Sequence, residues 1–152
     1  TAIGSSALTN NISGNFNIAV GESALFNNTS GDNNVAIGLS ALLNNSTGIG
    51  NTAVGGVALA NNTSGDNNTA SGLGALASNT TGSDNTAIGF NTGSGNFDSS
   101  IILGASATAT ASNQFVTGSV TYPAGAVSVA VAAQTRTWDV IINGVPHKIL
   151  LA

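Results

Sequence analysis

One 17-residue unit recurs six times without insertion or deletion through the first two-thirds of the chain, and nothing else in it limits the fold as strongly. An Ala-x-Gly triplet, with x usually Ile or Val, stands at Ala2-Ile3-Gly4, Ala19-Val20-Gly21, Ala36-Ile37-Gly38, Ala53-Val54-Gly55, Ala70-Ser71-Gly72 and Ala87-Ile88-Gly89. Between these an Ala-Leu pair returns at Ala7-Leu8, Ala24-Leu25, Ala41-Leu42, Ala58-Leu59 and Ala75-Leu76, and a second glycine at Gly14, Gly31, Gly48, Gly65 and Gly82. A fixed period of this length means equivalent units stacked along an axis, each covering the apolar face of its neighbour. Such a stack is a rod, without an enclosed active site.

Within one unit, Asn51-Thr52-Ala53-Val54 reads as a short strand, Gly55 as a bend, and Val57-Ala58-Leu59 as a second extended piece. The polar run from Asn61 to Asn67 returns the chain to the next coil. Two glycines per period suggest two corners, where glycine supplies positive φ without a steric penalty. Two Gly and several Asn, Ser and Thr per unit oppose a helix. The expected fold is therefore all-β: a parallel β-solenoid advancing about 4.8 Å per coil, roughly 29 Å for six coils. Asparagine holds two columns throughout, Asn11, Asn28, Asn45, Asn62 and Asn79, and Asn17, Asn34, Asn51, Asn68 and Asn85. In register, their amides can hydrogen-bond along the axis as ladders.

Composition narrows the functional classes. Only 5% of the 152 residues are charged, against roughly 25% in an ordinary soluble domain. Arg136 and Lys148 are the only cations in a chain of net charge −4, too few to track a phosphate backbone, so nucleic acid is not an expected partner. The absence of cysteine removes disulfides and thiolate chemistry. No apolar run approaches the roughly 20 residues of a membrane helix, so membrane insertion is not expected. The chain opens at Thr1 in the repeat phase of Thr52, without a starter methionine or signal peptide. It is read as the ordered end of a longer protein.

Four regions follow: the repeat array over 1–92, degenerate closing coils over 93–118, a transition strand or linker over 119–135, and a C-terminal hairpin over 136–152. After Gly89 the next apolar-Gly unit, Ile102-Leu103-Gly104, arrives two residues early. Residues 105–112 alternate Ala with Ser or Thr, which suits a flat strand, and Gln114 to Gly118 reads as a last coil. Asn143-Gly144 between two apolar runs is a strong hairpin signal. It pairs Ile142 with Val145, Val140 with His147, Asp139 with Lys148 and Trp138 with Ile149, and sets Pro146 opposite Ile141. Trp138, Val140, Ile142, Val145, Ile149 and Leu151 then share one face. A lone hairpin with such a face is marginal in water, and copies of itself in an oligomer would cover it as a trimer tip.

The repeat Asn-Thr-Ala-Ile/Val-Gly-x-x-Ala-Leu-x-Asn-Asn-Thr-Ser-Gly resembles the head repeats of trimeric fibres. These are phage tail-fibre proteins and, more distantly, the head β-rolls of bacterial trimeric autotransporter adhesins. Residues 100–118 are similar to the closing head motif of the same proteins. The resemblance covers about residues 1–118 and implies a parallel homotrimer of β-rolls. The coiled-coil stalk and membrane-embedded strand domain that end autotransporters are missing here, as is a Ser-Lys pair of the kind expected in a self-cleaving chaperone. A virion fibre end is thus favoured over a bacterial adhesin.

Candidate chemistry is sparse. His147, the only histidine, is placed by the hairpin opposite Val140 and reads as a packed or trimer-interface residue. Asp32 and Asp66 share one repeat position two coils apart, about 9.6 Å. That is at the edge of the separation in inverting glycosidases, but both read as turn residues. Asn-x-Ser/Thr at Asn11, Asn28, Asn45, Asn62 and Asn79 is generated by the repeat itself. No catalytic, cofactor or metal residue is assigned. The expectation is a non-enzymatic structural fibre, the C-terminal part of a phage tail fibre used for display and host attachment, with a cell-surface glycan or protein as receptor. A bacterial extracellular adhesin or filament subunit is the alternative, and an ice-binding solenoid a more remote one. Gly4, Gly21, Gly38, Gly55, Gly72 and Gly89 are expected as corners.

Overall fold

The computed structural model of the chain describes residues 1–93, 95–118, 137–142 and 145–150. Those residues are all-β, with no helix. Eight short strands stack in chain order, each parallel to the next. They are β1 (Ala2–Ile3), β2 (Ile18–Val20), β3 (Val35–Ile37), β4 (Thr52–Val54), β5 (Thr69–Ser71), β6 (Thr86–Ile88), β7 (Ile101–Leu103) and β8 (Phe115–Thr117). Ala19 pairs with Ala36, Ala36 with Ala53 and Ala53 with Ala70, so like residues meet like. The result is a parallel β-solenoid of about seven turns, whose strand stack extends about 34 Å at 4.8 Å per step.

Strand alternation decides what fills the coil. The middle residue of each strand points inward, and Ala19, Ala36, Ala53, Ala70 and Ala87 have no exposed surface. Opposite them lie the Ala-Leu pairs, whose members from Ala24-Leu25 to Ala75-Leu76 are also fully buried. From Leu25 to Leu76 one leucine per coil is the only large apolar side chain buried, and Ile102 fills the closing coil, so the core is one side chain wide.

The segment Val57-Ala58-Leu59 is not the second extended piece that the sequence suggests. It is a turn, with Val57 at φ 51° and Leu59 at φ 52°. Adjacent strand residues face opposite ways, whereas Ala58 and Leu59 both point into the core. Left-handed residues on either side of the alanine permit that, at a strain of roughly 1–2 kcal/mol for each non-glycine residue. Leu25, Leu42 and Leu76 take the same conformation at φ 52–53°.

The two glycine columns also differ in cause. Gly21, Gly38, Gly55, Gly72 and Gly89 do sit at positive φ, 133–136°. The second column, Gly14, Gly31, Gly48, Gly65 and Gly82, does not. Its glycines are required by crowding: a Cβ on Gly65 would collide with the Gly82 carbonyl oxygen and lie 2.5 Å from Asn62 Oδ1. The nearby left-handed corner is held by Phe16, Asn33, Gly50, Asn67 and Asp84 instead.

Beyond β6 the coils shorten, since Thr86 pairs with Ile101 and Ile101 with Phe115. Residues 105–112 form no strand. Only an isolated bridge joins Thr108 to Gly93, although Ala107 and Ala109 are buried. Side chains take over where strand pairing lapses. Asn96 Oδ1 accepts from the Thr80 N–H at 2.7 Å, and Gln114 Oε1 from the Thr110 N–H at 2.8 Å.

Strands β9 (Thr137–Ile142) and β10 (Val145–Leu150) pair antiparallel. The register sets Ile142 against Val145, Ile141 against Pro146, Val140 against His147, Asp139 against Lys148 and Trp138 against Ile149. The turn residues Asn143 and Gly144, Leu151, the transition region 119–135 and the side-chain placement of the trimer-tip residues lie outside the described residues.

Candidate functional site

Four coils, carrying Asn17 and Asn28, Asn34 and Asn45, Asn51 and Asn62, and Asn68 and Asn79, each hold two fully or almost fully buried asparagines, with partners in the neighbouring coils. In one column the Nδ2 of Asn28, Asn45, Asn62 and Asn79 donates to the Oδ1 of the asparagine one coil earlier, at 2.6–2.9 Å. In the other, Asn34, Asn51, Asn68 and Asn85 do the same at 3.1–3.2 Å. There the Oδ1 accepts a second bond, so that the Asn51 N–H reaches Asn34 Oδ1 at 2.9 Å. A buried amide left without partners costs roughly 1–3 kcal/mol. These pairings make two polar columns compatible with so narrow a core.

The columns converge. Each Nδ2 but that of Asn85, which donates to the Phe97 carbonyl at 2.7 Å, also donates to a glycine carbonyl, and the two ladders choose the same one. Gly48 O accepts from Asn45 at 3.0 Å and from Asn34 at 2.8 Å. Gly31, Gly65 and Gly82 repeat the arrangement. The first ladder ends at Asn79, whose buried Oδ1 has no partner. Asn96 occupies the next repeat position but serves Thr80. The second ends with the Ser100 N–H donating to Asn85 Oδ1 at 3.0 Å.

A third ladder runs along the outside. Asn10 donates to Asn27, Asn27 to Asn44 and Asn44 to Asn61, at 3.0–3.2 Å. Its polarity is opposite to that of the inner pair, each amide donating to the coil that follows. At Ser78 the column loses its amide, and Asn61 Nδ2 turns to the Ala77 carbonyl at 2.9 Å. The Asn-Asn dipeptides signal this ladder in the sequence, though Ser78 breaks the pattern.

Asp32 and Asp66 cap backbone at the polar corner. Asp32 Oδ1 accepts from the Asn15 N–H at 2.5 Å and Asp66 Oδ1 from the Ile49 N–H at 2.7 Å. Ser83 and Asp98 continue this column. Ile49 interrupts it, having no acceptor to offer the Asp32 N–H. Among the described residues, no group of three His, Cys, Asp or Glu is placed to hold a metal ion, and no helix is long and apolar enough to cross a membrane.

The outward strand residues make a different surface. Ile18, Ile37, Val54, Ile88, Ile101 and Phe115 are 41–69% exposed along one side of the sheet. Leu39, Leu73 and Phe90, one residue past the corner glycines, are also exposed. By register the strand residues form two columns: Ile18, Ile101 and Phe115 share one with Val35, Thr52, Thr69 and Thr86, and Ile37, Val54 and Ile88 share the other with Val20, Ser71 and Leu103. Scattered exposed apolar residues are normal, but so many on one outward face mark a contact surface.

Compared with known proteins, the chain matches no family model, no curated protein and no solved structure.

Proposed function

We propose that the chain is a non-enzymatic fibre protein, the C-terminal part of a phage tail fibre, in which three copies pack side by side into a rod on the virion. The observation that carries this reading is the outward face of the sheet, where Ile18, Ile37, Val54, Ile88, Ile101 and Phe115 stand exposed on a chain that is 5% charged. Burying it against further copies removes apolar surface from water at roughly 25 cal/mol per Å². The number three comes from the resemblance to trimeric fibre heads. The work of such a rod is mechanical display. Stacked backbone pairing makes it stiff, and weak surface contacts gain avidity from threefold repetition.

Sedimentation equilibrium of the chain tests this directly. The reading expects a particle three times the 14.7 kDa of one chain. A monomer at micromolar concentration would overturn it.

A further inference from the structure

We propose that the groove beside the outer asparagine ladder binds an uncharged, extended polysaccharide chain. The proposal rests on the fibre reading for its biological setting, and it names the class of receptor such a fibre would engage. The groove has a volume of about 650 Å³ and opens across the first three coils, lined by Thr9, Asn10, Ile12, Asn27, Thr29 and Ser46. None of these residues is charged.

The ladder prepares the amides for a ligand. A carboxamide has two N–H donors and two lone pairs. Asn27 uses one donor on Asn44 and one lone pair on Asn10, both at 3.0 Å. One N–H and one lone pair remain, on a group whose orientation the ladder has already fixed, so little side-chain freedom is lost on binding. This donor-acceptor pair repeats about every 4.8 Å, a pattern suited to the adjacent hydroxyls of successive sugars. Two coil steps, about 9.6 Å, compare with the length of one disaccharide. Hydroxyls stand alongside, Thr29 Oγ1 and Ser46 Oγ being 3.1 Å apart. Ile12, 82% exposed, offers an apolar platform for the C–H face of a ring.

Other occupants fit less well. No cation lines the groove to hold phosphate, sulfate or carboxylate. A peptide strand would need free backbone, yet the N–H groups of Asn10, Ile12, Asn27 and Thr29 already donate to carbonyls of the next coil. Neutral sugar hydroxyls, able both to donate and to accept, match what remains.

The test is titration of the full chain with neutral hexasaccharides of β-1,4-glucose, β-1,4-N-acetylglucosamine and α-1,4-glucose. Calorimetry at low and high salt would give affinity, and side-chain amide NMR would locate binding. At least one sugar is expected to bind with an affinity indifferent to salt and to shift the Asn10 and Asn27 amide signals. Asn27→Ala should weaken it roughly five- to tenfold. Ile12→Ala, at a position outside the ladder, should weaken it while leaving the thermal midpoint unchanged. Absence of binding by all three sugars at millimolar concentration would overturn the proposal, as would binding that neither variant alters. Sedimentation of the same samples separates the two readings. A trimer without sugar affinity removes only the groove, and a monomer removes the fibre.

Discussion

Asn62 and Asn51 donate to the same atom. The Nδ2 groups of both reach the Gly65 carbonyl oxygen, at 2.9 and 2.8 Å, from three residues before it and from one coil earlier. One carbonyl thus ties the two inner ladders together, and the tie recurs at Gly31, Gly48 and Gly82. Loss of either asparagine disturbs both columns.

Asn51→Ala should therefore be far more damaging than Asn27→Ala. The inner substitution removes donors from Asn34 Oδ1 and Gly65 O and an acceptor from the Asn68 N–H. A loss of about 3 kcal/mol or more is expected at Asn51, and less than about 1 kcal/mol at the outer site. Urea unfolding of the two variants measures the difference.

Asn51→Asp should make stability depend on pH. A carboxylate there faces Asn34 Oδ1 and the Gly65 carbonyl with no donor to give them. Burial and these acceptors raise its pKa above the unfolded value of about 3.9, against the opposing pull of the Asn68 N–H and Nδ2, which donate to its other oxygen. The unfolded chain then releases the proton first. The variant's extra loss is absent below the unfolded pKa and grows as pH rises towards the folded one. Unfolding midpoints at several pH values, set against the parent chain, check the sign.

Gly65→Ala and Gly56→Ala separate crowding from conformational freedom, because neither glycine is at positive φ. The first forces a methyl group onto Gly82 backbone and the Asn62 amide, and should cost more than about 3 kcal/mol. At Gly56 the nearest atom is the flexible end of Leu73, at 3.1 Å, and the change should stay within about 1 kcal/mol. Thermal unfolding of both variants decides.

Ile49→Ser should stabilise the chain by about 0.5–1 kcal/mol. Its hydroxyl would accept the Asp32 N–H, as Ser83 Oγ accepts the Asp66 N–H at 3.0 Å. Hydrogen exchange at the Asp32 amide should slow in the variant. An unchanged exchange rate would show that the hydroxyl has not joined the column.

Val54→Asp places a carboxylate in the middle of the outward sheet face, next to Ile37, where the parent side chain is 41% exposed. On the fibre reading it should leave each coil folded and break the assembly into single chains. Circular dichroism and sedimentation, run together, give the two readouts.

The coil and both inner asparagine columns can be read from the repeat because every copy carries them, and a stack in register magnifies an invariant position. The second glycine column misleads, since Gly65 is needed for space and not for φ, and space is a property of the next coil. Leu59 misleads differently. Two adjacent apolar residues that both point inward break the alternation of a strand, and left-handed backbone at a leucine is not written in its propensity. Asn96 keeps its repeat position but not its role, because the shortened coil carries it over to Thr80. The outer ladder was obscured by one residue, Ser78, and its polarity depends on rotamers that no spacing reveals.

The interlocked ladders are most directly tested by NMR hydrogen exchange of the asparagine side-chain amides. The Nδ2 protons of Asn45, Asn51, Asn62 and Asn68 should exchange only with opening of the whole stack, while those of Asn10 and Asn27 exchange orders of magnitude faster. Equal rates for the inner and outer sets would contradict the account.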